Sequence, residues 1–79
     1  MDREKIVLFL DLLEAKRGDW LVAFAEAGRE AFGVRGDVVD VLEVLGIHEA
    51  DAEVFFLRLP ADPAVLAAYL RPRMLGTKG

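Results

Sequence analysis

Regularly placed Asp and Gly residues divide this chain into short apolar segments. Asp19, Asp37 and Asp62 each stand just before such a segment, where an aspartate can cap the first turn of a helix. Gly33 and Gly46 follow two of the segments, at the position where helices commonly end in a left-handed residue. Apolar residues recur with helical spacing, and alternation with a period of two is not sustained anywhere. The chain is therefore predicted to be all-α.

The same pattern predicts a compact bundle of about five short helices in one domain. A chain of 79 residues has room for a single core. The predicted helices span residues 2–16, 20–32, 38–45, 49–59 and 63–70. We expect the last helix to stop before Pro72, because proline disfavours helical backbone at the preceding residue. The prediction is a helical domain over residues 1–71, followed by a basic tail over residues 72–79.

Gly28 is out of place in the predicted helix 20–32. Glycine inside a helix costs about 1 kcal/mol relative to alanine. The sequence therefore predicts either a neighbour that packs closely against Gly28 or a helix that frays early.

The composition argues against most enzyme classes. The chain has no Cys, Ser, Asn or Gln, and Thr77 is its only threonine. Serine and cysteine hydrolases, thiol redox centres and cysteine zinc sites are thereby excluded. His48 has acidic neighbours, but no pair of residues has the spacing that preorganises a metal site. We expect no enzyme activity, no cofactor and no metal.

Apolar runs in the chain, such as Ile6–Leu10 and Trp20–Ala25, are short. Both fall far short of the roughly 20 residues that span a bilayer. Together with the lack of cysteine, this predicts a cytoplasmic protein that does not enter the membrane. The scarcity of Asn, Gln, Cys and Met fits a thermophilic source and a GC-rich genome equally well.

Charge is segregated along the chain, whose formal net charge is −4. Residues 37–53 contain six acids and no Lys or Arg, whereas Arg and Lys dominate residues 54–79. The acids could attract a basic partner. They could equally cap or begin helices, where the helix dipole favours negative charge. Both interpretations remain open at this stage.

The chain has more apolar residues than one small core can hold. They make up 54% of it without glycine, against about 45–50% with glycine in ordinary domains. Val7, Val22 and the run 54–57 cannot all face one core, because four successive residues encircle a helix. We expect an exposed apolar patch, which usually marks a partner surface or an oligomer. The alternative is a bundle in which the helices 2–16 and 49–59 are buried on all sides.

Two of the predicted helices are similar to a helix-turn-helix. Helices 38–45 and 49–59 flank Gly46-Ile47-His48, as in DNA-binding proteins of that class. Glu49, Asp51 and Glu53 would face the phosphates, which opposes DNA binding. A nucleic-acid regulator that uses the basic residues 71–78 is therefore the alternative function.

A second resemblance involves the first two predicted helices. Leu10-Asp11-Leu12-Leu13, Arg17-Gly18 and Ala23-Phe24 with Ala27 resemble the paired helices late in caspase-recruitment domains of the death fold. The likeness covers about a quarter of the chain. It departs from the family by one extra residue between Asp11 and Arg17 and by its N-terminal position. The resemblance implies a helical module that works by protein contacts, and it assigns no binding residue.

These observations predict a small helical protein–protein interaction module, an adaptor or regulatory subunit, that associates with itself or with another protein. The partner-binding residues are predicted to be an apolar set and an acidic set: Val7, Val22, Val54, Phe55 and Phe56, with Asp40, Glu43, Glu49 and Glu53.

Overall fold

The computed structural model describes residues 3–47 and 62–76 of the chain. These residues form four α-helices and no strand, which confirms the all-α prediction. The helices are α1 (Arg3–Ala15), α2 (Trp20–Phe32), α3 (Val38–Leu45) and α4 (Pro63–Leu75). The predicted helix 49–59 lies outside the described residues, so four helices, not about five, are described.

The predicted aspartate caps are confirmed at the start of three helices. Asp19, Asp37 and Asp62 accept hydrogen bonds of 2.9, 3.1 and 3.0 Å from the backbone N–H two residues further on. At the other ends, Gly33 and Gly46 adopt left-handed backbone with φ of 73° and 76°. Local capping chemistry therefore sets both ends of α2 and α3.

The predicted end of the last helix is wrong, because α4 continues through Pro72 to Leu75. Pro72 lacks an N–H and so removes one hydrogen bond of the last turns. Met74 and Leu75 pack against the core beyond it, and Arg3 donates a 3.0 Å hydrogen bond to the carbonyl of Leu75. Gly76 closes the helix by donating to the carbonyl of Pro72 at 3.2 Å. Packing and capping thus offset the cost of the proline, and the first residues of the predicted tail are helical.

One hydrophobic core joins the four helices. α1 packs against both α2 and α4, and α3 packs mainly on α2. Phe9 lies at the centre, with its ring 5.3 Å from the rings of both Phe24 and Phe32. Leu66 and Leu70 bring α4 into the same cluster. This arrangement decides which side of each helix remains at the surface.

Gly28 marks the closest approach of α2 and α3. A Cβ at this position would overlap Cγ2 of Val41 and would lie 2.8 Å from Cγ1. Val41 is fully buried, and α2 continues to Phe32 without fraying at Gly28. The first of the two explanations for this glycine, a closely packed neighbour, is therefore correct.

Candidate interaction surface

α4 carries apolar residues on two opposite sides. Its core side is formed by buried residues, namely Pro63, Leu66, Ala67 and Leu70. Its other side has the i, i+3, i+4, i+7 spacing of a helix face and consists of Val65, Ala68, Tyr69 and Pro72, which we call the α4 outer face. Val65 is 42% exposed, Ala68 and Pro72 are also exposed, and Tyr69 is half-buried.

The outer face is apolar because α4 is apolar on nearly all sides. Two arginines and the tyrosine hydroxyl are its only polar side-chain groups. A helix that is apolar all round is usually buried all round. In this chain one side of α4 meets the core, whereas Val65, Ala68 and Pro72 of the outer face are exposed and Tyr69 packs partly against the core. The outer face is therefore an apolar strip that is partly in contact with water in the monomer.

Residues of opposite charge stand near the two ends of α4. Asp62 precedes the helix, is exposed, and accepts a hydrogen bond from the N–H of Ala64 through Oδ1. Arg73 lies near the other end, and its guanidinium carbon is 3.9 Å from the centroid of the Tyr69 ring. This cation–π contact holds the arginine beside the apolar strip.

Arg71, by contrast, is directed at α1. Its Nη2 lies 3.1 Å from Oδ1 of Asp11 and 3.5 Å from Oε1 of Glu14. The Arg71 side chain is about one-third exposed, whereas both carboxylates are well exposed. Arg71 therefore links α4 to α1, and Asp11 lacks the burial that would make it a candidate general acid.

A second ion-pair cluster links the C-terminal end of α1 to α2. Nζ of Lys16 lies 2.9 Å from Oε2 of Glu30 and 3.6 Å from Oε1 of Glu26. The pKa of Lys16 is raised above 10.5, first by its hydrogen bond to Glu30, although partial desolvation opposes the rise. The cluster therefore favours the charged form of Lys16 and links α1 to α2.

The predicted partner residues fall into three groups. Val22 is 54% exposed on α2, Glu43 is exposed on α3, and Val7 and Asp40 are half-buried. The side chain of Asp40 folds over Gly36. The remaining predicted residues lie outside the described part of the chain: Val54, Phe55, Phe56, Glu49 and Glu53.

The α4 outer face was not predicted from the sequence. Its spacing is present in residues 65–72, but the same residues belong to a segment whose core side has an equally apolar spacing. The expected stop before Pro72 also removed the last member of the face. The signal that could have found it is the near absence of polar residues from the whole segment.

Other exposed large apolar side chains lie on the remaining helices. Leu8 lies on α1, Leu21 and Val22 lie next to each other on α2, and Val39 lies on α3. Single exposed apolar residues are ordinary in globular proteins. The outer face differs from them because its members share one side of a single helix over two turns.

The enclosed space between the helices is small. One apolar cavity of about 10 Å³ lies between α2, α3 and α4, which is space for at most about one water. A larger open depression of about 600 Å³ lies at the surface, where the α1–α2 turn with Lys16 and Arg17 meets the start of α4 at Asp62. No group of three potential metal ligands is found in residues 3–47 and 62–76. Among the helices of these same residues, none combines the length and apolarity that a membrane crossing requires.

No protein-family model, curated protein or solved structure matches this chain. The likeness to caspase-recruitment domains accordingly stays a prediction. The surface of the molecule is the basis on which a function can be argued.

Proposed function

We propose that the chain is a helical protein-interaction module that associates with copies of itself. The α4 outer face is the single observation that carries this proposal. It is an apolar strip with helical spacing, and it is exposed on a helix whose opposite side is part of the core. Contiguous exposed apolar surface commonly marks a contact with another protein.

The energetics of burial support association through such a strip. Fully burying a valine side chain is worth roughly 1.5–3 kcal/mol relative to leaving it in water. Val65, on this strip, retains much of its area at the surface of the monomer. A partner that covers Val65 would gain part of the free energy of burying it.

The acidic residues within positions 37–53 fit the same proposal, because they could steer a basic partner towards the surface. Glu43 is exposed on α3, and we extend this role to Asp40, Glu49 and Glu53. Asp37 has a different role, because its carboxylate caps α3 through the N–H of Val39. Exposed acids affect the rate and specificity of association more than its affinity.

The alternative, a helix-turn-helix regulator that contacts nucleic acid, ranks second. It requires the basic residues near the end of the chain to contact phosphates. Arg71 is already paired with two carboxylates, and Arg73 is stacked on Tyr69. These contacts leave less free positive charge than the sequence suggests.

The test of the proposed function is the solution mass over a wide range of protein concentration, at low and high salt. We expect a species larger than the monomer that survives high salt, because salt does not screen apolar burial. A monomer under every condition would contradict self-association. Nucleic-acid binding that weakens steeply with salt would favour the alternative. Val22→Lys and Phe55→Lys test the patch predicted from sequence in the same assay.

A further inference from the structure

We propose that the last turn of α4 is a redox-sensitive switch, in which oxidation of Met74 to its sulfoxide releases residues 72–75 from the core. We call these residues the C-terminal turn. The switch operates within a single copy of the chain, so it does not depend on self-association. Its basis is the weak attachment of the turn and the thioether that the turn contains.

The C-terminal turn is held more weakly than the rest of α4. Leu70 is 1% exposed, whereas Met74 and Leu75 are half-buried against the core. Pro72 has no N–H and cannot donate to the carbonyl four residues earlier. Nη1 of Arg3, an exposed residue, donates a hydrogen bond of 3.0 Å to the carbonyl of Leu75. Segments with few buried contacts open at a lower free energy than the whole domain, so the turn can open while the core stays folded.

Met74 is the group of this turn that a hydroperoxide can oxidise. The chain has no cysteine, and its two methionines are Met1 and Met74, so no thiol competes for the oxidant. Met74 is half-buried, which leaves part of its side chain open to water while the rest packs against the core. A fully buried methionine would be protected, and a fully exposed one would be oxidised without effect on the fold. Met74 lies between these two cases.

The oxidation transfers one oxygen atom. The thioether sulfur attacks an oxygen of hydrogen peroxide, the O–O bond breaks, and the products are the sulfoxide and water. The sulfur loses two electrons, and the peroxide gains them. The sulfoxide is polar, and burying it against an apolar core without a hydrogen-bond donor costs free energy. The oxidised side chain therefore favours the open turn, and reduction of the sulfoxide restores the closed one.

Opening of the C-terminal turn also changes the α4 outer face. Pro72 is the last member of that face, and Arg73 is stacked on Tyr69 beside it. Pro72 and Arg73 both belong to the segment that opens. Oxidation therefore shortens the apolar strip at its C-terminal end.

The first experiment treats the native chain and Met74→Leu with hydrogen peroxide and measures urea unfolding before and after. Leucine has a similar volume and cannot be oxidised. Met1 is present in both chains and so controls for oxidation elsewhere, and mass spectrometry verifies the sulfoxide at residue 74. We expect oxidation to lower the urea midpoint of the native chain by about 0.5–1 M and to leave that of Met74→Leu unchanged. An unchanged native midpoint, or an equal loss in Met74→Leu, would overturn the switch.

Hydrogen exchange distinguishes opening of the turn from unfolding of the whole domain. The amides of residues 73–76 and 66–70 are followed in the native chain before and after oxidation. After oxidation we expect residues 73–76 to exchange at nearly the rate of an unstructured peptide, while residues 66–70 stay protected by about a hundredfold or more. Residues 73–76 that stay protected, or residues 66–70 that lose protection with them, would contradict a local switch.

A third experiment tests the contact from Arg3, with Lys5→Ala as the matched control for Arg3→Ala. Both changes remove one positive charge from an exposed position of α1, but only Arg3 binds the carbonyl of Leu75. We expect Arg3→Ala to raise the rate of sulfoxide formation at Met74 several-fold, because the turn opens more often. Lys5→Ala should leave the rate unchanged. Equal rates in the two variants would show that Arg3 does not hold the turn closed.

Discussion

At residue 28 the absence of a side chain is a packing requirement. Gly28 is buried in α2 and has ordinary helical backbone, so its role is not to supply an unusual conformation. The role is to let Val41 of α3 occupy the space where a Cβ would lie. A residue that weakens α2 locally thereby allows α2 and α3 to approach.

We predict that Gly28→Ala destabilises the protein. The change gains about 1 kcal/mol of helix propensity, but overpacking a filled core costs about 1–3 kcal/mol. Urea unfolding measures the difference. The control is the same change in a Val41→Ala background, where the new methyl has room and should be neutral or stabilising. An increase in the stability of Gly28→Ala alone would contradict the close contact.

At the scale of the element, α4 is a helix that tolerates a proline within its last turns. Pro72 cannot donate to the carbonyl four residues earlier, and the ring crowds that carbonyl. The helix persists because Met74 and Leu75 pack against the core, and because Arg3 of α1 donates a hydrogen bond to the carbonyl of Leu75. Contacts from another helix thus override a strong local preference.

We predict that Pro72→Ala stabilises the chain by about 1–3 kcal/mol, because the missing hydrogen bond is restored and the ring is removed. Urea unfolding at low protein concentration, where the monomer dominates, provides the measurement. Pro63→Ala is the matched control. Proline at the first helical position loses no hydrogen bond, and Pro63 is buried, so its replacement should not stabilise. If the Pro72→Ala variant were no more stable than the native chain, Pro72 would not destabilise α4.

The ion pair between α1 and α2 predicts a pH dependence. The folded-state pKa of Lys16 is raised above 10.5, so the pair contributes stability fully below that pH and loses it as the pH rises through the higher folded value. The native chain should therefore exceed Glu30→Gln in unfolding free energy by a constant amount from pH 7 to about pH 10. The gap should close at higher pH. If the difference in unfolding free energy did not narrow above that pH, Lys16 would not be its source. Glu26 lies farther from Nζ of Lys16 than Glu30 does, so Glu26→Gln should lower the unfolding free energy by less.

At the scale of the whole molecule, contacts between α1 and α4 join the two ends of the described part of the chain. Arg3 binds the carbonyl of Leu75, and Arg71 pairs with Asp11 and Glu14. Residues 72–75 therefore belong to the fold.

We predict that a chain ending at residue 71 is less stable than a chain ending at residue 76 by about 2–4 kcal/mol. The shorter chain loses the packing of Met74 and Leu75 together with the hydrogen bond from Arg3. The longer chain keeps every contact of the described residues and serves as the control. Urea unfolding of the two chains makes the comparison. Equal stabilities would show that the last turn adds nothing to the core.

The sequence by itself determined the helical class and most helix boundaries. Asp19, Asp37 and Asp62 cap helices as predicted, and Gly33 and Gly46 end them. These outcomes could be predicted because capping depends on groups within a few residues of one another. The predicted partner residues at 49 and 53–56 lie outside the described residues, so that part of the site stays a prediction.

Only the tertiary structure decided the end of α4 and the side of it that faces the core. A helix that is apolar all round has no periodic signal to distinguish its two faces, so the neighbours make the choice. Here α1 and α2 take the side of Leu66 and Leu70 and leave Val65, Ala68 and Pro72 outside. Similarly, the cost of Pro72 is local, but the packing and the Arg3 contact that offset it come from residues distant in sequence.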